Sequence, residues 1–204
     1  MDGTVLDLRF DNLFWLEALP RRWGEARGLD ERASLAELKP RFDAKRGTLD
    51  WYCIDHWSEE LGFDIAALKF EMRSHIRYLP GAVDFLDGLR GRGKRVLLTT
   101  NAHPISLGIK SAQTGLGRHF DELISSHEFG VPKESPEFWA RLALGHGVVP
   151  ASTLFVDDSI AVLTAAREAG VRWTYQVLQP DSTRPAHAEA PGFTGIEGLG
   201  DLAP

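Results

Sequence analysis

Along residues 8–79 apolar side chains recur at helical steps, and no stretch alternates as a strand would. Leu13, Phe14, Trp15 and Leu16 follow Asp11, a candidate N-cap. Pro20 and Pro40 are expected to interrupt the helical pattern, because proline has no N–H to donate. In Asp50–Leu61 the apolar positions are Trp51, Ile54, Trp57 and Leu61. In Asp64–Leu79 they are Ile65, Leu68, Met72, Ile76 and Leu79, at steps of 3, 4, 4 and 3, which predicts a helix over that range.

From Pro80 the pattern changes to short apolar runs separated by helical segments. Strands are predicted at Arg95–Thr100, Glu122–Ser126, Thr153–Val156 and Val171–Val177. The run RVLLTT lacks polar alternation, as expected of a strand buried on both faces. Helices are predicted from Pro80-Gly81 to Leu89, from Pro104 to Thr114, from Ser135-Pro136 to Leu144, and over Ile160–Ala169. This alternation predicts an α/β fold, with a Rossmann-like parallel sheet joined by right-handed crossovers. Residues 180–204, rich in Pro, Gly and Ala, read as a loosely packed tail.

Composition changes the picture only at its margins. A net charge of −6 and a pI near 5.6 argue against nucleic acid as a partner, since no basic surplus is available to neutralise a phosphate backbone. Cys53 is the single cysteine, so there is neither an internal disulfide nor a cysteine zinc cluster, and a reducing, cytoplasmic setting fits. No apolar run approaches the roughly 20 residues that span a bilayer, and the acidic opening turn is unlike a signal peptide.

Candidate chemistry gathers at the strand ends, where open parallel sheets bind ligands. Thr99-Thr100-Asn101 follows the first strand and suits either phosphoryl oxygens or simple strand-end capping. Lys133 stands in the loop Phe129–Pro136, either as a solvated charge or as neutralisation for a phosphoryl transition state. Asp157-Asp158-Ser159 ends the third strand. Adjacent carboxylates there fit a hard divalent cation, and Asp or Ser also fits a helix N-cap. At the other end of the chain, Asp2-Gly3-Thr4 forms a tight polar turn whose N–H groups suit an anion.

Taken in order, Asp2-Gly3-Thr4-x-x-Asp7, apolar-Thr100-Asn101, Gly130-x-Pro132-Lys133 and apolar-Asp157-Asp158-Ser159 resemble motifs one to four of the haloacid dehalogenase-like (HAD) superfamily. The resemblance implies a Mg²⁺-dependent phosphomonoester hydrolase that works through an aspartyl-phosphate. It implies Asp2 as general acid/base, with its backbone carbonyl facing the Mg²⁺. It assigns Thr100 and Asn101 to the phosphoryl group, with Thr99 the lesser alternative, and Lys133 to charge stabilisation. Asp158 is implied as a Mg²⁺ ligand, with Asp157 assisting.

Residues 10–79 are similar to the family's helical cap, leaving 1–9 and 80–204 as the α/β core. The stretches DGTVLDLRFDNLFW and TLDWYCIDHWSEELG resemble the bacterial GMP/IMP nucleotidases of this superfamily, which implies a purine nucleotide as substrate. Among the cap tryptophans, Trp15, Trp23, Trp51 and Trp57, an aromatic face could stack on a purine, with Arg46 beside Trp51; most of the four are expected in the cap core. His56, His75 and His103 show no metal-ligand spacing, and His103 is kept as a candidate for the substrate because it follows the Thr-Asn pair. Two other readings stand beside this one: a non-catalytic phosphate- or nucleotide-binding relative, and a sugar phosphatase or phosphomutase.

One departure matters. Aligned this way, the family's attacking aspartate and the central strand that carries it fall before Met1. Losing that strand removes several buried aliphatic side chains at roughly 1.5–3 kcal/mol each and leaves ladder edges unpaired. The expectation is that translation begins upstream, and that the chain as given neither folds well nor hydrolyses phosphate esters.

Overall fold

The computed structural model describes residues 1–203. The first half is a set of short helices: α1 (Arg9–Leu13), α2 (Leu19–Glu25), α3 (Glu31–Lys45), α4 (Leu49–Tyr52), α5 (Ile54–Leu61) and α6 (Ile65–Glu71). They enclose a cluster of Phe14, Leu19, Trp23, Leu38, Phe42, Ile54, Trp57, Leu61 and Ile65. The helical spacing of Ile54, Trp57 and Leu61 therefore does bury one face of α5.

Three local expectations are corrected. Asp11 caps nothing: the N-cap of α1 is Leu8, and the Asp11 carboxylate is held by two lysines instead. Neither Pro20 nor Pro40 breaks its helix. A π-helical turn at Phe14–Ala18 runs into α2 with Pro20 at its second position, and the wider turn accommodates a residue without an N–H. Pro40 lies inside α3 on its exposed side, where water can satisfy the carbonyl that proline leaves free. Finally, the predicted helix Asp64–Leu79 stops at Glu71. Beyond a short turn the chain extends to pair with the first residues, with Asp7 N–H donating to Arg77 O and Leu79 N–H to Val5 O, each at 2.9 Å. Ile76 and Leu79 are thus buried by a long-range pairing that helical periodicity cannot reveal.

The second half adds α7 (Ala82–Gly91), β1 (Leu97–Thr100), α8 (Pro104–Thr114), β2 (Glu122–Ser125), α9 (Pro136–His146), β3 (Leu154–Asp157), α10 (Ile160–Glu168), β4 (Trp173–Val177) and β5 (Thr194–Ile196). All pairings between these strands are parallel. β1 pairs with β2, and separately β3 pairs with β4 and β4 with β5. No ladder joins β1 to β3. The turn Met1–Leu6 lies with them instead, its Met1, Val5 and Leu6 buried in one apolar cluster with Leu98 and the partly buried Val156.

β5 corrects the expectation of a loose tail. Phe193, Ile196 and Leu199 are buried, and Ser182 donates through both its N–H and its hydroxyl to Asp7. Asp181 is likewise buried and accepts from Asn12 at 2.6 Å. Among the described residues, no helix is long and apolar enough to cross a membrane.

Candidate active site

The carboxyl ends of β1 and β3, the opening turn and the loop before α9 meet at one cleft of about 400 Å³. Asp2, Thr100, Asn101, Lys133, Asp157 and Asp158 line it from below. Arg46, Trp51, Trp15 and Phe42 line it from the helical side. His103 is not among the lining residues: it caps α8 and faces Asp55 instead. Of the cap tryptophans, Trp23 and Trp57 are buried in the helical core, whereas Trp15 and Trp51 are half-buried at the cleft. The Arg46 guanidinium lies 5.4 Å from the Trp51 ring centre and pairs with Asp43 at 3.0 Å.

Gly3 shows why the opening turn is built as it is. Its φ of +71° is in the left-handed region, and a Cβ placed there would lie 2.6 Å from the Asp158 carboxylate. Only glycine allows both the turn and the close approach of that carboxylate.

Charges in the cleft are buried and mostly paired. Lys133 Nζ meets Asp157 Oδ2 at 2.6 Å, while Lys133 N–H donates to Asn101 Oδ1 at 2.8 Å. Asp157 also accepts from Ser159 N–H at 2.9 Å, and the Ser159 hydroxyl caps α10. The N-cap role thus falls to Ser159. Asp158 is different: among the described residues it has no ion pair with a side chain. Burial, then the neighbouring Asp157 charge, push its carboxyl up to about 7. A buried carboxylate beside a half-buried one that has no ion-pair partner is a donor set that fits a hard divalent cation.

A second buried cluster was missed in the sequence. Lys110 of α8 lies 2.6 Å from Asp2 Oδ1 and 2.5 Å from Asp11 Oδ2, and Lys69 of α6 lies 3.1 Å from Asp11 Oδ1. Burial alone would raise the Asp11 carboxyl, but Lys110 and Lys69 outweigh it and hold it at about 2. Lys110 is raised, as Asp11 and Asp2 overcome its burial. Lys69 is lowered, chiefly by burial. No periodicity marks residues that pair across 58 or 99 positions.

A hydrogen-bonded chain also crosses from the helical side to the sheet. Tyr52 OH donates to Glu134 Oε1 at 2.7 Å, and Glu134 Oε2 accepts from Asn101 Nδ2 at 2.8 Å. Asn101 in turn accepts from the Lys133 N–H, so three hydrogen bonds link Tyr52 to the loop lysine. Burial and the Glu134 charge raise the Tyr52 phenol, which remains a donor throughout the neutral range. Tyr52→Phe removes one hydrogen bond to a charged group and is expected to cost roughly 1.5–3 kcal/mol in urea denaturation.

This arrangement, with acidic turn, Thr-Asn, lysine loop and Asp-Asp at the tips of a parallel sheet, defines a hydrolase class. The sequence matches the haloacid dehalogenase-like hydrolase family over residues 1–170, and the chain belongs to that family. The GMP/IMP nucleotidase YrfG of Escherichia coli (strain K12) is 42% identical over 182 residues, covering 89% of this chain and 82% of that protein. Among solved structures, a HAD phosphatase from Thermococcus onnurineus superposes with a TM-score of 0.81 at 18% identity, covering 98% of this chain and 91% of that one. CbbY from Rhodobacter sphaeroides, in complex with phosphate, superposes at 0.71 with 17% identity, covering 99% and 93%. The chain is therefore an α/β hydrolase with the HAD fold.

Proposed function

We propose that the protein is a Mg²⁺-dependent phosphomonoesterase acting on purine nucleoside 5′-monophosphates such as GMP and IMP. The observation that carries this is the convergence of Asp2, Thr100, Asn101, Lys133, Asp157 and Asp158 on one cleft roofed by Trp15, Trp51 and Arg46. The 42% identity to a GMP/IMP nucleotidase supports the choice of substrate. The phosphate on a small nucleotide is the partner, rather than a nucleic acid or a membrane.

In this reading residues 10–79 act as a cap that excludes water and selects the leaving group. Asp158, Asp157 and the Asp2 backbone carbonyl would hold Mg²⁺, which would supply positive charge beside the phosphate. Thr100 and Asn101 orient the phosphoryl oxygens. Lys133, already paired with Asp157, stabilises negative charge as it builds. Asp2 protonates the leaving nucleoside oxygen and then takes a proton from water.

The test is phosphate release from a panel of nucleotides and sugar phosphates with Mg²⁺, by a form extended with an apolar strand ending in Asp before Met1. Release from GMP and IMP above the sugar phosphates is expected. A preference for sugar phosphates would favour the alternative phosphatase or phosphomutase reading. Binding of GMP with no release from the extended form would favour a non-catalytic binder.

A further inference from the structure

We propose a second metal site, made by Cys53, His103 and His127 and suited to Zn²⁺, that ties the helical half to the sheet. It is independent of the Asp157-Asp158 pair and of the nucleotide reading. One donor atom from each of the three residues lies within 4.8 Å of the others. Cys53 sits between α4 and α5, His103 at the start of α8, and His127 in the turn Ser126–Glu128 after β2. The site thus joins three segments far apart in sequence.

Two further observations point to a ligand. His127 Nε2 is buried and has no hydrogen-bond partner, an arrangement that is costly unless something binds there. The His103 and His127 rings meet edge-on with centres 4.9 Å apart, so two imidazoles converge. Burial, then His103, keep the His127 ring below its ordinary range, which leaves its lone pair available at neutral pH. Cys53 Sγ accepts the His56 N–H at 3.5 Å at the amino end of α5. Asp55 Oδ2 lies 3.4 Å from His103 Nε2 at the exposed edge of the site, outside the three-residue set, which leaves a fourth position to solvent.

Sulfur and imidazole ligands select a borderline-soft ion over Mg²⁺. Zn–S near 2.3 Å and Zn–N near 2.0 Å bring tetrahedral donors to about 3.5 Å apart, so side-chain rotation must close about 1 Å. Binding releases the thiol proton to solvent, while both histidines stay neutral. His103 would then carry its proton on Nδ1, giving up the long 3.4 Å bond from Ile105 N–H. Cys53 directly follows Tyr52, and His103 lies two residues after Asn101, so a bound ion would hold the helical half against the phosphate-binding turn.

The test is a Co²⁺ titration of the whole chain in excess Mg²⁺. One equivalent is expected to produce a thiolate-to-cobalt charge-transfer band, and the single cysteine assigns any such band to Cys53. His127→Ala is expected to weaken Co²⁺ binding by about tenfold or more, and Asp158→Asn to leave the band intact. Zn²⁺ should raise the melting temperature of the parent chain and not that of Cys53→Ser. Absence of the band, a band of equal affinity in His127→Ala, or an equal Zn²⁺ shift in Cys53→Ser would overturn the site.

Discussion

Asp158→Asn is expected to weaken Mg²⁺ binding by at least about 100-fold while making the metal-free protein more stable. Asp158 is half-buried beside Asp157 and forms no ion pair of its own, and desolvation and the Asp157 charge outweigh Lys133 to push its carboxyl up to about 7. A carboxyl raised above its unfolded value favours the fold below about pH 4, and that contribution is lost as pH rises through 7. Above pH 7 the ionised group therefore strains the metal-free protein by roughly 2–4 kcal/mol, which a bound Mg²⁺ would relieve. Asparagine keeps the shape without the charge. Urea denaturation in EDTA at pH 8 checks the sign, since a residue placed there only to cap α10 or fill space would destabilise the fold on replacement.

The opposite sign is expected of Asp11→Asn. Asp11 is the shared partner of Lys69 and Lys110, both almost fully buried. Removing its charge leaves Lys110 with Asp2 alone and strands Lys69 against the Phe14 ring, 4.2 Å away. Breaking a buried pair costs about 3–5 kcal/mol, a large part of the 5–15 kcal/mol that typically holds a domain together. Acid should reproduce part of this effect in the parent chain. The Asp11 carboxyl is held at about 2, so its contribution is fully present above pH 4 and disappears as pH falls through 2. Denaturation midpoints measured from pH 5 to 2 should fall for the parent and stay flatter for Asp11→Asn.

Much of the fold could be read in advance because it rests on local patterns. The strands at Leu97–Thr100 and Leu154–Asp157 follow unbroken apolar runs, and the polar residues at their carboxyl ends fall in the cleft. What was hidden is long-range. Asp11 looked like an N-cap because acidic residues often are, yet its partners lie in α6 and α8. The tail looked loose because Pro and Gly carry no periodicity, yet Asp181 and Ser182 fasten it to Asn12 and Asp7. Ile76 and Leu79 kept helical spacing, but pairing with the opening turn overrode it. The position of His103 after the Thr-Asn pair points to the substrate, but the turn after Asn101 directs its ring to Asp55 and His127. Tyr52 and Glu134 carried no signal at all, since a link between two surface-type residues 82 positions apart exists only once the chain is folded.

The most direct measurement is calorimetric titration of GMP into the chain with and without Mg²⁺, repeated on Lys133→Met with its fold verified by circular dichroism. If one cleft holds both the cation and the phosphate, GMP binds tightly only with Mg²⁺ and the substitution weakens it by about tenfold or more. Equal binding in EDTA, or unchanged binding by Lys133→Met, would mean that these strand ends do not hold the phosphate.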